Sequence, residues 1–366
     1  MIRILHVLGG LDRGGAESMV MNLYRTIDRT KVQFDFVIHT EKHQAYYDEI
    51  ISLGGKIYSF PAFKGTNAFF LRKKWAKFFK EHPDYKILHS HVRSYASLYL
   101  PVARKAGLKT IIHSHSTSNG RGFASVVKRI MQYPLRFQAD YFFACSKEAG
   151  KWLFGKKICN SEGFHILQNA INVEKYRFNQ MVREEYRKKL GLENKKIFIH
   201  VGRFHPAKNH LFLLDLFAQI YKNDKNAILI LAGDGELRPV IEHRIADLNI
   251  QNDVVLLGSR NDVGNLLQAA DCFLFPSNWE GLPVTVVEAQ AAGLPCLVSD
   301  RITREVGLSD LVKYLPINQG IQPWIDFLGT CSFLRKDVSR KISSAGFDIQ
   351  STSLVLTDFY QGIANV

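Results

Sequence analysis

The chain has 366 residues, 46% of them hydrophobic and 22% charged. That is the make-up of a globular protein with room for two domains, and it excludes a disordered chain, a coiled coil and a collagen-like repeat. Lys and Arg outnumber Asp and Glu by 48 to 34, a net charge of +14. The whole excess lies in residues 1–170, with 26 basic against 12 acidic residues; the remainder carries 22 of each. The first half should therefore attract an anionic surface, and the second need not.

The opening run Met-Ile-Arg-Ile-Leu-His-Val-Leu is too short for a signal-peptide core and reads as a strand. Short apolar runs then alternate with helix-patterned segments. Strands are predicted over 2–8, 34–38, 56–60, 87–91, 110–113, 141–145 and 165–168. A second series covers 197–201, 227–232, 254–257, 272–275, 295–298 and 312–315. Apolar strands separated by helices indicate parallel α/β layers. Thirteen strands are many for one sheet, so two Rossmann-like domains are expected, with the polar stretch 171–196 as a linker plus a helix. Ligands in such sheets sit beyond the carboxyl ends of the strands. No run approaches ~18 apolar residues, the length needed to span a bilayer. The cysteines Cys145, Cys159, Cys272, Cys296 and Cys331 are odd in number and lack a C-x-x-C pair, against a disulfide framework or zinc knuckle. The expected location is cytoplasmic, with the basic half as a means of lying on the inner face of the plasma membrane.

Five strand ends carry candidate chemistry. Gly9-Gly10-Leu11-Asp12-Arg13-Gly14-Gly15-Ala16-Glu17 follows the first strand. It is neither G-x-G-x-x-G nor a Walker loop, and it reads as a backbone approaching a ligand at a helix N-terminus, or as a plain strand-to-helix turn. His89-Ser90-His91 and His113-Ser114-His115 each put two imidazoles on one face of a strand, either to meet a substrate or as structural histidines. No carboxylate or thiolate cluster accompanies them, so no metal site is expected. Gly202-Arg203-Phe204-His205-Pro206-Ala207-Lys208-Asn209 places a guanidinium and an ammonium in one loop, a set that suits a diphosphate. Gly233-Asp234-Gly235 is a turn whose glycines let the backbone approach a flat ring. Asn278-Trp279-Glu280-Gly281-Leu282-Pro283-Val284-Thr285-Val286-Val287-Glu288-Ala289 reads as a loop running into a helix over 284–292, with Glu280 before it and Glu288 inside it. The free N–H groups of that helix favour a phosphate.

Gly14-Gly15-Ala16-Glu17, the Gly-Arg-Phe…Lys-Asn segment, Gly233-Asp234-Gly235 and Glu280-x7-Glu288 stand in the order seen in retaining glycosyltransferases of family 4, which the chain resembles over nearly its whole length. Ala139 to Gly155 and the run Leu167 to Asn172 look like the branch that builds bacterial capsular or exopolysaccharides. The resemblance implies an α/β protein of GT-B fold, two Rossmann-like domains with parallel sheets facing across a cleft. It places an acceptor-side domain over 1–170, a linker over 171–196 and a nucleotide-sugar-binding domain over 197–351. A C-terminal helix over about 352–366 would pack back on the first domain. It implies a hexosyltransferase that takes a nucleotide sugar, UDP-linked, and passes the sugar to a glycan or polyprenyl-diphosphate-linked acceptor. Catalytic roles fall to His115, with His113 its rival, and to Arg203, Lys208 and Glu280. Donor binding falls to Gly14, Gly15, Gly233, Asp234, Gly235, Leu282, Pro283, Val284, Thr285 and Glu288. No cofactor and no metal are expected: the chain contains no D-x-D, so Arg203, Lys208 and a helix dipole would neutralise the leaving group.

Residues 69–80, FFLRKKWAKFFK, put Leu71, Trp75, Phe78 and Phe79 on one helical arc and four lysines on another. That pattern fits an interfacial helix, and equally a core-packed helix with a solvated face. Arg121, Lys128, Arg129 and Arg136 add basic charge. Two other readings stay open: a sugar-nucleotide epimerase or phosphorylase of the same fold, and a basic membrane- or nucleic-acid-surface binder. No nucleic-acid-binding module is recognisable, so nucleic acid is not an expected partner.

Overall fold

A computed structural model of the chain describes residues 1–12, 14–116 and 123–365. The chain divides into two compact units, Met1–Ala170 with Ile349–Val366, and Ile171–Asp348.

The first unit contains strands β1 (Ile2–Val7), β2 (Val32–Ile38), β3 (Ile57–Ser59), β4 (Ile87–Ser90), β5 (Lys109–Ser114), β6 (Tyr141–Ala144) and β7 (Phe164–Ile166). They form one parallel sheet in the order β3-β2-β1-β4-β5-β6-β7. Alternate residues along β1 serve opposite faces. Ile4 packs with Phe34, Phe36, Ile87 and the C-terminal helix residues Leu356 and Tyr360. Leu5 and Val7 pack with Trp75, Leu88 and Tyr99. Both faces are thus covered, which is why the strands read as unbroken apolar runs. The C-terminal helix is Ile349–Ala364, and it groups with this unit. It begins three residues before the expected 352, after helices Gln322–Thr330 and Ser339–Ser344 that the weakly patterned tail did not announce.

The second unit contains β8 (Lys196–Val201), β9 (Ala227–Ala232), β10 (Val254–Gly258), β11 (Cys272–Phe275), β12 (Cys296–Ser299) and β13 (Val312–Leu315). Their order is β10-β9-β8-β11-β12-β13, again all parallel. Each sheet reverses its strand order once, between β1 and β4 in the first unit and between β8 and β11 in the second. Such switch points open a crevice at the carboxyl ends of the strands.

One sequence expectation needs correction, and one pair of alternatives is decided. Residues 171–196 are not a linker. They carry helices Val173–Tyr176 and Gln180–Leu190 inside the second unit. Arg183 and Arg187 hold Asp271 through Nη2 at 2.5 and 2.6 Å, and Tyr186 is buried. The charges that suggested a solvated connector are consumed in that anchor. Of the two readings of residues 69–80, the core-packed helix holds: in helix Ala68–Glu81 the residues Leu71, Trp75, Phe78 and Phe79 are buried in the core. Helical periodicity reveals a stripe but not what covers it.

One carboxylate ties the first sheet together. Asp35 on β2 is fully buried. It accepts from Arg3 Nε on β1 at 2.6 Å, from the Tyr85 hydroxyl just before β4 at 2.6 Å, and from the Lys56 N–H just before β3 at 2.7 Å. Removing it takes the counter-charge from a partly buried guanidinium and an acceptor from a buried phenol. Asp35→Ala should cost about 3–5 kcal/mol in urea unfolding, the penalty of breaking a buried ionic network; a loss under 1 kcal/mol would contradict this account.

Candidate functional site

The second unit builds its site at the β8/β11 switch point. The 202–209 loop leaves β8 and is anchored by Phe204, which is fully buried. A short turn, Pro206–Lys208, is capped by His205, whose Nδ1 accepts from the Ala207 N–H at 3.1 Å. The loop after β11 is tied to that turn: the Asn278 N–H donates to the Ala207 carbonyl at 2.7 Å, and Asn278 Nδ2 to the Pro206 carbonyl at 3.0 Å. These bonds bring Lys208 and Glu280 together. Lys208 Nζ stands 2.7 Å from Glu280 Oε1 and 4.7 Å from the centre of the Phe275 ring. The pair is largely buried, yet Oε1 receives no well-directed hydrogen bond, so it is neutralised without being saturated. Gly202 explains the Gly-Arg-Phe pattern: a Cβ there would meet Lys208 Cε at 3.0 Å. The missing side chain is the space in which the lysine stem lies.

Arg203 lies apart from this pair. Its side chain is 72% exposed and bonds Glu236 Oε2 through Nη2 at 3.1 Å. The glycines of the β9 turn serve the fold before any ring. A Cβ on Gly235 would come within 2.6 Å of the Phe204 carbonyl, and one on Gly233 would collide with the Gly202 carbonyl oxygen. The Phe204 N–H donates to the Asp234 carbonyl at 2.9 Å. The close approach these glycines permit is thus already taken by the 202–204 backbone. Asp234 itself pairs with Arg238 at 3.1 Å.

Helix Val284–Ala291 has Pro283 at its cap and no side-chain capping bond. The N–H groups of Val284 and Thr285 therefore have no acceptor within the helix and face outward beside Leu282. Glu288 has a different partner from Glu280. Its Oε1 accepts from the Tyr176 hydroxyl at 2.8 Å, and burial raises its carboxyl pKa against that bond. Tyr176 and Glu236 were missed as partners, because 112 and 33 residues separate each from the group it holds and no local pattern links them.

In the first unit, Gly14 caps helix Gly15–Thr26, and the side chain folded against Gly14 is Glu17. Burial raises the Glu17 carboxyl pKa. A carboxylate, not an open N-terminus, occupies this turn. Arg13 and Arg121 lie outside the described residues. The two H-x-H pairs are single-faced as expected, and His6 on β1 joins them. His89 and His91 stack at 4.5 Å, and His113 and His115 at 4.0 Å. His6 Nδ1 is 2.9 Å from His91 Nε2, and His91 Nδ1 is 2.8 Å from His115 Nε2. The tautomers of three rings are therefore coupled: fixing one proton fixes the rest. His89 Nδ1 is 2.7 Å from the Tyr360 hydroxyl. His113 is fully buried inside the sheet, whereas His115 lies past the end of β5 and is partly accessible. Of the rivals, only His115 is reachable by a substrate.

Nitrogens of His6, His89 and His91, and of His91, His113 and His115, lie within 4.8 Å of one another. In the second group His91 is tilted against His113 and His115, by 38° and 31°. His91 already spends both nitrogens on its neighbours. The arrangement is a hydrogen-bonded row.

The Glycosyltransferase Family 4 model matches residues 13–175, and the Glycosyl transferases group 1 model residues 182–309. The glycosyltransferase EpsF of Bacillus subtilis (strain 168) is 36% identical over 369 residues, covering 98% of this chain and 96% of its own length. An Escherichia coli UDP-Gal:alpha-D-GlcNAc-diphosphoundecaprenol alpha-1,3-galactosyltransferase is 31% identical over 227 residues, 59% of this chain and 58% of that protein. The crystal structure of Anabaena HepE in complex with UDP superposes with a TM-score of 0.78 at 17% identity, over 99% of this chain and 100% of that one.

The histidine row predicts an acid-sensitive fold. Burial is the leading cause that lowers the pKa of His6, His89, His91 and His113, and it pushes His115 down to about 3, helped by the charge of Arg93. Unfolded histidines titrate near ~6.5. Below that pH the unfolded chain binds protons that the folded chain refuses. Stability should therefore be full above neutrality and fall steadily as pH drops from about 6.5, by up to ~1.4 kcal/mol per pH unit for each histidine. Urea unfolding at pH 8, 7, 6 and 5 reads this slope, and equal stability at all four would refute it.

Proposed function

The chain belongs to glycosyltransferase family 4, with the GT-B fold, and from that premise we propose a retaining, metal-independent enzyme. It moves a sugar from a UDP-sugar to a glycan or polyprenyl-diphosphate-linked acceptor in the assembly of a bacterial surface polysaccharide. The observation that carries this reading is the Lys208–Glu280 pair at 2.7 Å, at the strand ends where a nucleotide diphosphate is bound.

The second unit holds the donor. Its diphosphate meets Lys208 and the N–H groups of Val284 and Thr285, with Leu282 and Pro283 shaping the loop. Arg203 joins by exchanging Glu236 for phosphate. An exposed pair of that kind is worth ~1 kcal/mol or less, so a diphosphate competes for it readily. Glu280 keeps an unsaturated acceptor for a sugar hydroxyl, and Glu288 stands ready for the ribose with Tyr176 as its support. Gly233, Asp234 and Gly235 hold the Arg203 loop in place for the base. The first unit takes the acceptor and contributes Gly14, Gly15 and His115.

Reaction breaks the anomeric C–O bond, and the leaving diphosphate keeps the electron pair. The acceptor hydroxyl oxygen forms the new bond on the same face of the ring, and its proton passes to the departing phosphate oxygen. Charge separates between sugar and diphosphate as this happens. Fixed cations and helix N–H groups at the phosphates favour that separation, and they do so more in the transition state than in the ground state. No cofactor is needed.

Lys208→Ala should reduce sugar transfer from a UDP-sugar by about 10²–10³ in kcat, the cost of one lost oxyanion stabiliser. Wild-type turnover should survive EDTA. Near-normal turnover of Lys208→Ala, or abolition by EDTA that magnesium restores, would overturn the reading.

Location follows from a different surface than the sequence pointed to. No helix among the described residues is long and apolar enough to cross a membrane. The apolar side chains Val126, Val127 and Ile130 of helix Phe123–Gln132 are exposed, as are Tyr133 and Phe137, and Lys128, Arg129 and Arg136 lie among them. This face rests the protein on the inner leaflet from the cytoplasmic side. Ile130→Glu with Phe137→Glu, at positions 69% and 68% exposed, should weaken sedimentation with phosphatidylglycerol vesicles at least ~10-fold without lowering the melting temperature. Unchanged sedimentation would exclude this face.

A further inference from the structure

The first unit has a switch point of its own, between β1 and β4, and it opens a cavity of about 370 Å³. Gly9 comes from the end of β1; His91, Arg93 and Tyr95 come from the end of β4; Lys128 and Gln132 come from the helix Phe123–Gln132. Among the described residues the lining contains two cations and no carboxylate.

Arg93 is the unusual group. It is partly buried, and burial is the leading influence on its pKa, lowering it. Among the described residues it makes a long hydrogen bond, from Nη1 to the Ser116 carbonyl at 3.4 Å, and its guanidinium stands 5.2 Å from the Trp152 ring centre. Among the described residues no carboxylate pairs with it. Taking a guanidinium part-way out of water without a counter-charge is unfavourable. Arg3 recovers that cost on Asp35 and Arg183 and Arg187 on Asp271, and Arg335 is met by the carbonyls of Leu267, Gln268, Ala270 and Ala292; Arg93 has neither a carboxylate nor such a set of carbonyls among the described residues. The neighbouring His91 and His115 stay neutral and add no competing charge. They leave the cavity with a fork of donors aimed at an oxyanion.

We propose that this cavity binds the phosphate groups of a lipid-linked diphosphate acceptor, through Arg93 and Lys128. The lipid source is argued from the helix that supplies Lys128: it carries the exposed Val126, Val127 and Ile130 on the side turned about 100–160° from Lys128, so the element that offers the cation to the cavity also offers an apolar surface to a hydrocarbon chain led round it. The proposal rests on the reading that the first unit takes the acceptor, but its test does not depend on sugar transfer.

Geranyl diphosphate is titrated calorimetrically into protein saturated with UDP, which fills the second unit's diphosphate site. It should bind wild type, and Arg93→Gln should weaken it at least ~10-fold, the loss of a charge-assisted hydrogen bond. Lys128→Gln, at an exposed position, should weaken it several-fold, and UDP affinity should be the same in all three proteins. Inorganic pyrophosphate should show the same dependence on Arg93 with lower affinity. Binding to phosphatidylglycerol vesicles should not depend on Arg93. Equal affinity of wild type and both variants, exclusion of geranyl diphosphate by UDP, or a dependence on Arg93 confined to vesicles would each overturn the proposal. If Arg93→Gln fails to fold, Arg93→Lys and Lys128→Gln decide, since a lysine keeps the charge but loses the bidentate fork. If UDP does not bind at all, the proposed donor chemistry fails, while titration of Lys208→Ala protein still reads the cavity.

Discussion

Parallel strands covered on both faces leave a protein one kind of place for chemistry, the edge where the strands end. Each sheet here obeys that constraint. Its two faces are filled by separate clusters of apolar side chains, and the polar residues that matter gather past β1, β4 and β5, or past β8, β9 and β11. The strand order reverses at β1/β4 and at β8/β11. At those points adjacent connections leave toward opposite faces, and a crevice opens without any residue having to be removed from the core. Lys208 with Glu280, and Arg93 with Lys128, are what this chain places in the two crevices.

The supporting groups explain why the edges hold their shape. In the second unit the Arg203 loop is pinned by backbone contact with the Gly233–Gly235 turn and by two bonds from Asn278. Lys208 therefore stands on a rigid turn, although it belongs to a loop. In the first unit the equivalent rigidity comes from the row of imidazoles running from His6 through His91 to His115. Neutral rings satisfy one another there at the cost of sensitivity to acid. Both devices hold a loop without placing a full charge in the core, where an unpaired one would be expensive.

All thirteen strands were legible in the sequence because buried parallel strands are short apolar runs bounded by turn residues, as in Ala227–Ala232 or Cys272–Phe275. The candidate residues were legible because they follow strands. What was not legible needed three dimensions. The stripe Leu71, Trp75, Phe78, Phe79 has the spacing of an interfacial helix, and only packing reveals that Tyr99 and its neighbours cover it. Residues 171–196 look like a solvated connector because their arginines find Asp271 some 84 to 88 positions away. Glycines at 233 and 235 signal a close approach, but not that the approaching group is the chain itself. Arg93 carried the one overlooked clue, since it stands two residues past His91 at a strand end, where a cation is conspicuous.

The net charge of +14 takes on meaning when it is followed residue by residue. In the second unit the cations near the site are answered: Lys208 by Glu280, Arg203 by Glu236, Arg238 by Asp234 and Glu242. A ligand diphosphate there must displace carboxylates, so binding is an exchange of partners and is readily reversed. In the first unit the carboxylates are spent on structure, Asp35 on Arg3, Glu49 on Arg25 and Asp140 on Arg104. The surplus falls to groups such as Arg93, Lys128, Arg129 and Arg136, for which no carboxylate partner stands among the described ion pairs. An anion arriving there has no carboxylate to displace, only contacts such as those of Arg93 and Arg136 with the Ser116 and Leu153 carbonyls. The two units thus differ in what they ask of a phosphate: the first gains a missing counter-charge by holding one, and the second trades an internal ion pair for one. That difference suits a membrane-bound acceptor that is retained and a soluble donor whose nucleotide must leave.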